Sequence, residues 1–376
     1  MDTRQGLEGV VAATTRLSSV DGEAGVLLIA GFPVEDLAPL ATFEETTWLL
    51  WNGALPGASE LAAFRRRLAT RRALPAATFD LLRAAARQRV SVMDALRMAV
   101  GSLSLSEGAG QDPNEDSATL VAAFPTIVAA YWRLLEGKEP VEPREDLGHT
   151  ASFLYLLTGE EPEAERVRGL ETYLNTVIDH GFNASTFTAR VIISTRSDLI
   201  SAITGAVGAL KGPLHGGAPG PALDMVFEIG TADRAESVLR EKLARGERLM
   251  GFGHRVYRVR DPRADVLAEA AARFYKSAGD AALYDLARSV EATALRLLRE
   301  HKPDRPLDTN VEFYTALLLH GLGLPTELFT PLFAVGRVSG WVAHCLEQLA
   351  HGRLIRPQSE YVGERDRRWV PLEARG

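Results

Sequence analysis

EPEAERVRGLETYLNTVIDHG, residues 161–181, decides the fold. Val167, Leu170, Leu174 and Val177 recur in it at steps of three and four, the spacing that lays an apolar stripe along one face of a helix. Pro162 marks its start and Gly181 its end. The same period returns in SDLISAITGAVGALKGP (197–213), where Leu199, Ile203, Ala206, Val207 and Leu210 share a side and Gly212-Pro213 stops the helix. Its small residues Ala202, Gly205, Ala206 and Gly208 predict close helix-to-helix packing, in a core or at a subunit interface. Further helices are expected at about 59–72, 78–88, 93–104, 116–136, 232–245, 263–276, 281–300, 313–321 and 326–350, with Pro125 kinking or splitting the one it occupies. Strand signals are few. LSSVDGEAGVLLIAGFPV (17–34) has Asp21-Gly22 between short apolar runs and reads as a hairpin. The expected fold class is therefore all-α, with a small N-terminal β-hairpin.

A chain of 376 residues exceeds what one hydrophobic core usually serves, so two domains are expected. KGPLHGGAPGP (211–221) holds four glycines and three prolines, the composition of a hinge or site loop. Two more loops, GERLMGFGHRV (246–256) and HKPDRPLDTN (301–310), help delimit a smaller domain at 213–310, leaving 1–212 and 311–376 as the large helical one. The tail RDRRWVPLEARG is charged and is expected along the surface. Forty-nine acidic residues against 42 basic ones give a net charge of -7, and the signs alternate along helices, as in AERVRGLE. This argues against a nucleic-acid partner. The single cysteine, Cys345, excludes an intrachain disulfide and reads as a small buried hydrophobe. No signal-peptide pattern opens the chain and no run approaches the roughly 18 apolar residues of a membrane span. The expected location is cytoplasmic, so the NAS triplet at Asn183 carries no glycosylation.

Three of the eight histidines sit beside glycine in turn-rich contexts: His180 in IDHGFN, His215 in GPLHGG and His254 in GFGHRV. Such contexts leave an imidazole uncrowded. Their separations match no metal-ligand spacing, so no metal is expected. GFGHRV lacks the third glycine of a dinucleotide fingerprint, and GRVSG has Arg337 where a hydrolase elbow needs glycine. Arg263 in RDPRA, Arg356 in RLIRPQS and Arg337 complete the set. Arg337 lies in a mostly apolar helix beside Phe333, Val338 and Trp341, and a buried arginine there needs a carboxylate or phosphate, from the protein or from a ligand. In DTNVEFYTALLL (308–319), Asn310 reads as an N-cap and Glu312 as a first-turn acid kept ionised by the helix dipole, which also suits a general base. Several arginines and histidines with one carboxylate suit a small polycarboxylate undergoing carbon-acid chemistry.

GLEGV, DGEAG, FEETTWLLWNGALP, DHGFNASTF, LKGPLHGGA, MGFGHRVYRVRDPRA, NVEFYTALLL, LFTPLFAVGRVSGWVAHCLEQ and LIRPQSEYVG, in this order from residue 6 to about 363, resemble the citrate synthase family, which includes 2-methylcitrate synthase. The resemblance implies a two-domain helical homodimer whose small domain closes over the substrates. It also implies condensation of oxaloacetate with acetyl-CoA, a step of the tricarboxylic acid cycle, then hydrolysis of the citryl thioester, with no bound cofactor. His215 would stabilise the acetyl enol, Glu312 would take its α-proton and His254 would polarise the ketone and protonate the alkoxide. His180, Arg263 and Arg337 would hold oxaloacetate, and Arg356 would reach in from the partner subunit. Arg248, Leu249, Met250, Gly251 and Phe252 resemble the CoA-adenine loop, and Arg72 a basic residue near the acyl-CoA.

The chain departs from the family pattern at four places. Glu312 replaces the usual aspartate, Pro219 an asparagine, Val177 a histidine, and Ser91-Val92 a His-Pro pair. A citrate synthase, a 2-methylcitrate synthase using propionyl-CoA, and a non-condensing relative that senses oxaloacetate or CoA are the readings carried forward.

Overall fold

The computed structural model describes residues 5–7, 9–216, 219–254, 256–279, 281–303 and 307–375. Gly217, Ala218 and the side chain of Pro219, in the glycine-rich loop, and residues 304–306, in the third loop, lie outside the described residues. Three short antiparallel strands open the fold: β1 (Ser18–Asp21), β2 (Val26–Ile29) and β3 (Phe32–Pro33), in register Ser18↔Ile29 and Ile29↔Phe32. The expected hairpin is present, extended by β3. Asp21 shapes its turn by accepting from Glu23 and Ala24 N–H groups at 3.0 and 2.9 Å.

The helices follow in order: α1 (Val34–Leu37), α2 (Phe43–Asn52), α3 (Ala58–Ala69), α4 (Ala76–Arg87), α5 (Val92–Ser102), α6 (Pro113–Leu135), α7 (His149–Thr158), α8 (Ala164–Val177), α9 (Ala184–Ser194), α10 (Leu199–Leu210), α11 (Pro219–Ile229), α12 (Ala235–Ala244), α13 (Pro262–Ala278), α14 (Ala282–His301), α15 (Val311–Gly321) and α16 (Phe329–His351). The fold is all-α. Helices α1, α2, α7, α9 and α11 were not expected from periodicity. Local caps account for two of them: Thr42 and Glu45 form a reciprocal capping box on α2, and Asn183 of the NAS triplet caps α9 by accepting from Thr186 N–H at 3.0 Å.

Helices α6 and α16 are buried nearly all round, as central helices must be. α6 is the one described helix long and apolar enough to cross a membrane, and it is mostly buried in the core. It also runs unbroken through Pro125, correcting the expected split. The lost N–H costs about 3 kcal/mol, and burial of every residue from Leu120 to Tyr131 offsets it.

α16 packs on α6, α8, α9 and α10, and α13 packs on α8 and α15. Glycines permit the closest crossings. A Cβ on Gly205 would lie 2.3 Å from Ile192 Cδ1, so the small-residue face of α10 meets α9 as expected. On α16, a Cβ at Gly336 would lie 3.0 Å from the Leu174 carbonyl oxygen, and one at Gly340 would lie 2.2 Å from that of Ile178. These glycines press α16 against the end of α8 and set Arg337, which lies between them, beside it. Cys345 is buried there too. Beyond His351 the chain is irregular and mostly exposed apart from one short turn, Leu372–Ala374.

Candidate active site

α8 ends at Val177, the last residue of its apolar stripe and short of the expected stop at Gly181, because the following residues are held in another geometry. Gly181 takes a φ of +59°, and its N–H donates to Ser18 Oγ at 2.9 Å. Ser18 in turn donates to the carboxylate of Asp179. Asp179 is fully buried and also accepts from His344 Nε2 at 3.1 Å, while His344 Nδ1 accepts from Arg190 at 3.0 Å. Burial alone would raise the Asp179 carboxyl, but His344, Arg337 and Ser18 outweigh it and hold it below the usual range. This network presents His180, whose Nε2 meets Tyr257 Oη at 3.1 Å.

Two segments bring His254 and Glu312 together. Gly253 N–H donates to the Asp308 carbonyl at 2.7 Å, and Asn310 N–H to the Gly251 carbonyl at 2.9 Å. Asn310 adds two side-chain bonds: Oδ1 accepts from Glu312 N–H at 3.0 Å, and Nδ2 donates to the Gly253 carbonyl at 2.8 Å. The expected N-cap is therefore also a cross-brace. Gly251 makes the approach possible, since its φ is +88° and a Cβ there would lie 2.9 Å from Phe313. From the other side, the hairpin turn packs on the residues after His254: Arg258 N–H donates to the Gly22 carbonyl at 2.8 Å, and a Cβ on Gly22 would lie 2.3 Å from the Val256 carbonyl oxygen. Removal of the brace by Asn310→Ala is expected to cost about 1 kcal/mol through the cap alone, and to reduce turnover more than oxaloacetate affinity. Urea unfolding and steady-state kinetics measure the two effects.

Burial pushes the imidazoles of His215 and His254 down to about 4, with Arg337 adding to the first and Arg263 to the second. Burial, then Arg263, Arg337 and His254, lower His180 well below its usual value. All three rings are therefore neutral near pH 7. His254 Nδ1 accepts from the backbone N–H groups of Val256 and Tyr257 at 3.0 and 3.1 Å; these two bonds outweigh the longer 3.4 Å approach of Arg263 Nη2 to Nε2 and place the ring proton on Nε2. His215 Nε2 lies 2.7 Å from Ser185 Oγ, which accepts from Trp341 Nε1 at 3.0 Å. Ser185 Oγ donates to Asn183 Oδ1 at 2.7 Å, and its contact with His215 Nε2, also 2.7 Å, is donated by the ring unless Ser185 turns its one proton to the imidazole. Given to His215, that proton leaves the imidazole N–H on Nδ1.

The two buried arginines differ in their partners. Arg263 is held by both oxygens of Asp261, Nε to Oδ1 at 3.0 Å and Nη2 to Oδ2 at 2.8 Å. Asp261 also caps α13 and accepts from Val311 N–H at 3.3 Å, at the start of α15. Arg337 is 1% exposed and, among the described residues, has no carboxylate within 4.0 Å. Its Nε donates to the Val177 carbonyl, and its guanidinium stacks on Phe333 at 4.6 Å. Burial lowers it to about 10, partly offset by Asp179 and reinforced by Arg263. The partner that sequence demanded is thus not a structural ion pair.

Glu312 is mostly buried, and burial raises its carboxyl to about 7, against the pull of Arg263 and with a smaller push from Asp261. Desolvation therefore outweighs the helix dipole expected to keep it ionised. No hydrogen bond to its carboxylate is present among the described residues.

The structure thus gathers His180, His254, Arg263, Arg337 and Glu312 into mutually interacting groups, with His215 in the field of Arg337. In the loop Arg248 to Phe252, Arg248 is exposed, Leu249 is buried, Met250 is partly buried, and Phe252 meets the Phe313 ring at 5.4 Å. Arg356 is exposed and contacts none of these groups within the single chain. Arg72 corrects the sequence reading. It is 3% exposed and donates to the carbonyls of Arg144 and Leu147, at 2.5 and 2.8 Å, tying down the loop before α7. Sequence reasoning missed Asp179, Asp261, Ser185 and Tyr257. Only Asp261 had a local signal, as a capping residue before Pro262.

Two buried arginines, three neutral imidazoles and a carboxylate poised near neutrality define a site for an anionic substrate and proton transfer. The family "Citrate synthase, C-terminal domain" matches residues 6–358. Citrate synthase 2 of Bacillus subtilis is 42% identical over all of both chains, and the 2-methylcitrate synthase of Shewanella oneidensis is 38% identical over 99% of this chain and 98% of its own. The crystal structure of citrate synthase from Pyrobaculum aerophilum superposes with a TM-score of 0.88 at 39% identity, covering 98% of this chain and 95% of that one. The citrate synthase of Thermoplasma acidophilum, solved as a ternary complex with carboxymethyl coenzyme A and oxaloacetate, gives a TM-score of 0.88 at 30% identity over 98% of both chains. The chain belongs to the citrate synthase family and is an acyltransferase of that type.

Proposed function

We propose that the protein condenses acetyl-CoA with oxaloacetate and hydrolyses the resulting thioester to citrate and CoA. The observation that carries this reading is Glu312, a carboxylate with a raised pKa of about 7, braced through Asn310 to the Nε2–H donor His254. A base near neutrality is matched to removing a weakly acidic α-proton. Glu312 takes that proton, and His215 donates to the thioester oxygen as negative charge develops there. The methyl carbon then bonds to the ketone carbon of oxaloacetate, while the carbonyl electron pair moves onto oxygen and takes a proton from His254 Nε2. Water cleaves the citryl thioester and the thiol leaves. Arg263 and Arg337 fix the two carboxylates, and His180 adds a further contact. The loop Arg248, Leu249, Met250, Gly251 and Phe252 takes the CoA adenine.

In the same reading the enzyme is a cytoplasmic homodimer, and Arg356 acts in the partner's site, which accords with its exposure on an irregular segment. Residues 213–310 form the smaller domain that closes over the substrates. No resident cofactor takes part.

Thiol release from acetyl-CoA and from propionyl-CoA, each with oxaloacetate, tests the proposal. Faster release from acetyl-CoA is expected. Preference for propionyl-CoA, which differs by one methylene worth about 1–3 kcal/mol, would make it a 2-methylcitrate synthase, like the Shewanella relative. Oxaloacetate binding without release from either thioester would leave a sensor.

A further inference from the structure

Tyr173 lies on α8 and is fully buried, yet its hydroxyl has no hydrogen-bond partner among the described residues. Leaving such a group unpaired costs about 1–3 kcal/mol, whereas phenylalanine would fill nearly the same space without that cost. The residue is one helical turn before Val177, whose carbonyl holds Arg337, so both project from one side of α8. α8 packs against α13, α15 and α16, the helices that carry Arg263, Glu312 and Arg337. Burial raises the phenol far above its usual value, so it stays an O–H donor, and Arg337, Glu312 and Arg263 are the charges that act on it. The arginines only donate, and the Glu312 carboxylate accepts no hydrogen bond from this hydroxyl. An O–H placed among them needs an acceptor oxygen that the described residues do not supply.

We propose that Tyr173 Oη donates to a carboxylate oxygen of oxaloacetate, the carboxylate that Arg337 receives. This assignment rests on the oxaloacetate reading above and adds Tyr173 to the residues that bind it.

Tyr173→Phe removes the hydroxyl and little else. Calorimetric titration with oxaloacetate is expected to show binding weakened about tenfold, the effect of losing a hydrogen bond to a charged acceptor. Thermal unfolding of the free variant should give an equal or higher Tm. Equal affinities of parent and variant would overturn the tyrosine assignment alone. Weakened binding together with a lowered Tm would mark a packing role and overturn it as well. A parent enzyme that fails to bind oxaloacetate would overturn the substrate reading, and this assignment with it.

Discussion

Glu312→Gln is expected to lower kcat by about 10²- to 10⁴-fold, the usual contribution of a positioned general base, while leaving oxaloacetate affinity near that of the parent. Steady-state kinetics with both substrates check the split, and a variant with near-normal turnover would remove Glu312 from the mechanism. In the parent, kcat should fall as pH drops through about 7, because the carboxyl is then protonated and cannot accept the α-proton. Stability carries the opposite sign. The folded pKa lies above the ordinary value of 4.5, so protonation favours the folded state. That contribution is complete below about 4.5 and is lost as pH rises through about 7. At pH 8 the buried ionised group opposes folding by an amount on the order of 3 kcal/mol. The variant carries no such charge and should resist urea better than the parent at pH 8, with the advantage vanishing near pH 4.

Arg337→Leu is expected to raise the oxaloacetate dissociation constant by roughly two orders of magnitude or more, because a buried guanidinium that receives a carboxylate is worth about 2–5 kcal/mol to the complex. The free enzyme should lose little stability. The Val177 carbonyl loses its donor and Asp179 one favourable charge, but among the described residues no acid is ion-paired to Arg337, and Asp179 keeps its bonds to His344 and Ser18. Leucine also relieves the repulsion from Arg263. Titration calorimetry and thermal unfolding separate the two effects. Unchanged affinity, or collapse of the fold, would show that Arg337 serves structure and not the ligand.

What the sequence disclosed of this site follows from where each signal resides. Arg337 was legible because a charge in an apolar helix contradicts its surroundings, and His180, His215 and His254 because glycines beside them set them in turns. Glu312 was legible in place and in charge, but its pKa was not: the dipole is local, whereas the burial that outweighs it comes from distant segments. Asp179 and Asp261 escaped notice because their partners are remote, and Asp179 meets His344 across 165 positions. Arg72 misled for the complementary reason, since a basic residue at a helix end reads alike whether it faces a ligand or ties down carbonyls. Most helices were visible as periodic stripes. Helix α11 was hidden by the prolines and glycine that open it, and α9 by the polar residues of its first turns.

The cross-brace at Asn310 bears on how this family can vary. The Asn310 and Gly253 bonds bind the backbone under Glu312 to the backbone under His254, so neither can shift by an ångström alone. A change in side-chain length at 312, such as glutamate in place of the aspartate that the sequence resemblance leads one to expect, is then transmitted to the backbone of His254 as well. Substitutions at 312 are therefore expected to be coupled to the stretch from Gly251 to His254, so that a change at one end calls for compensation at the other.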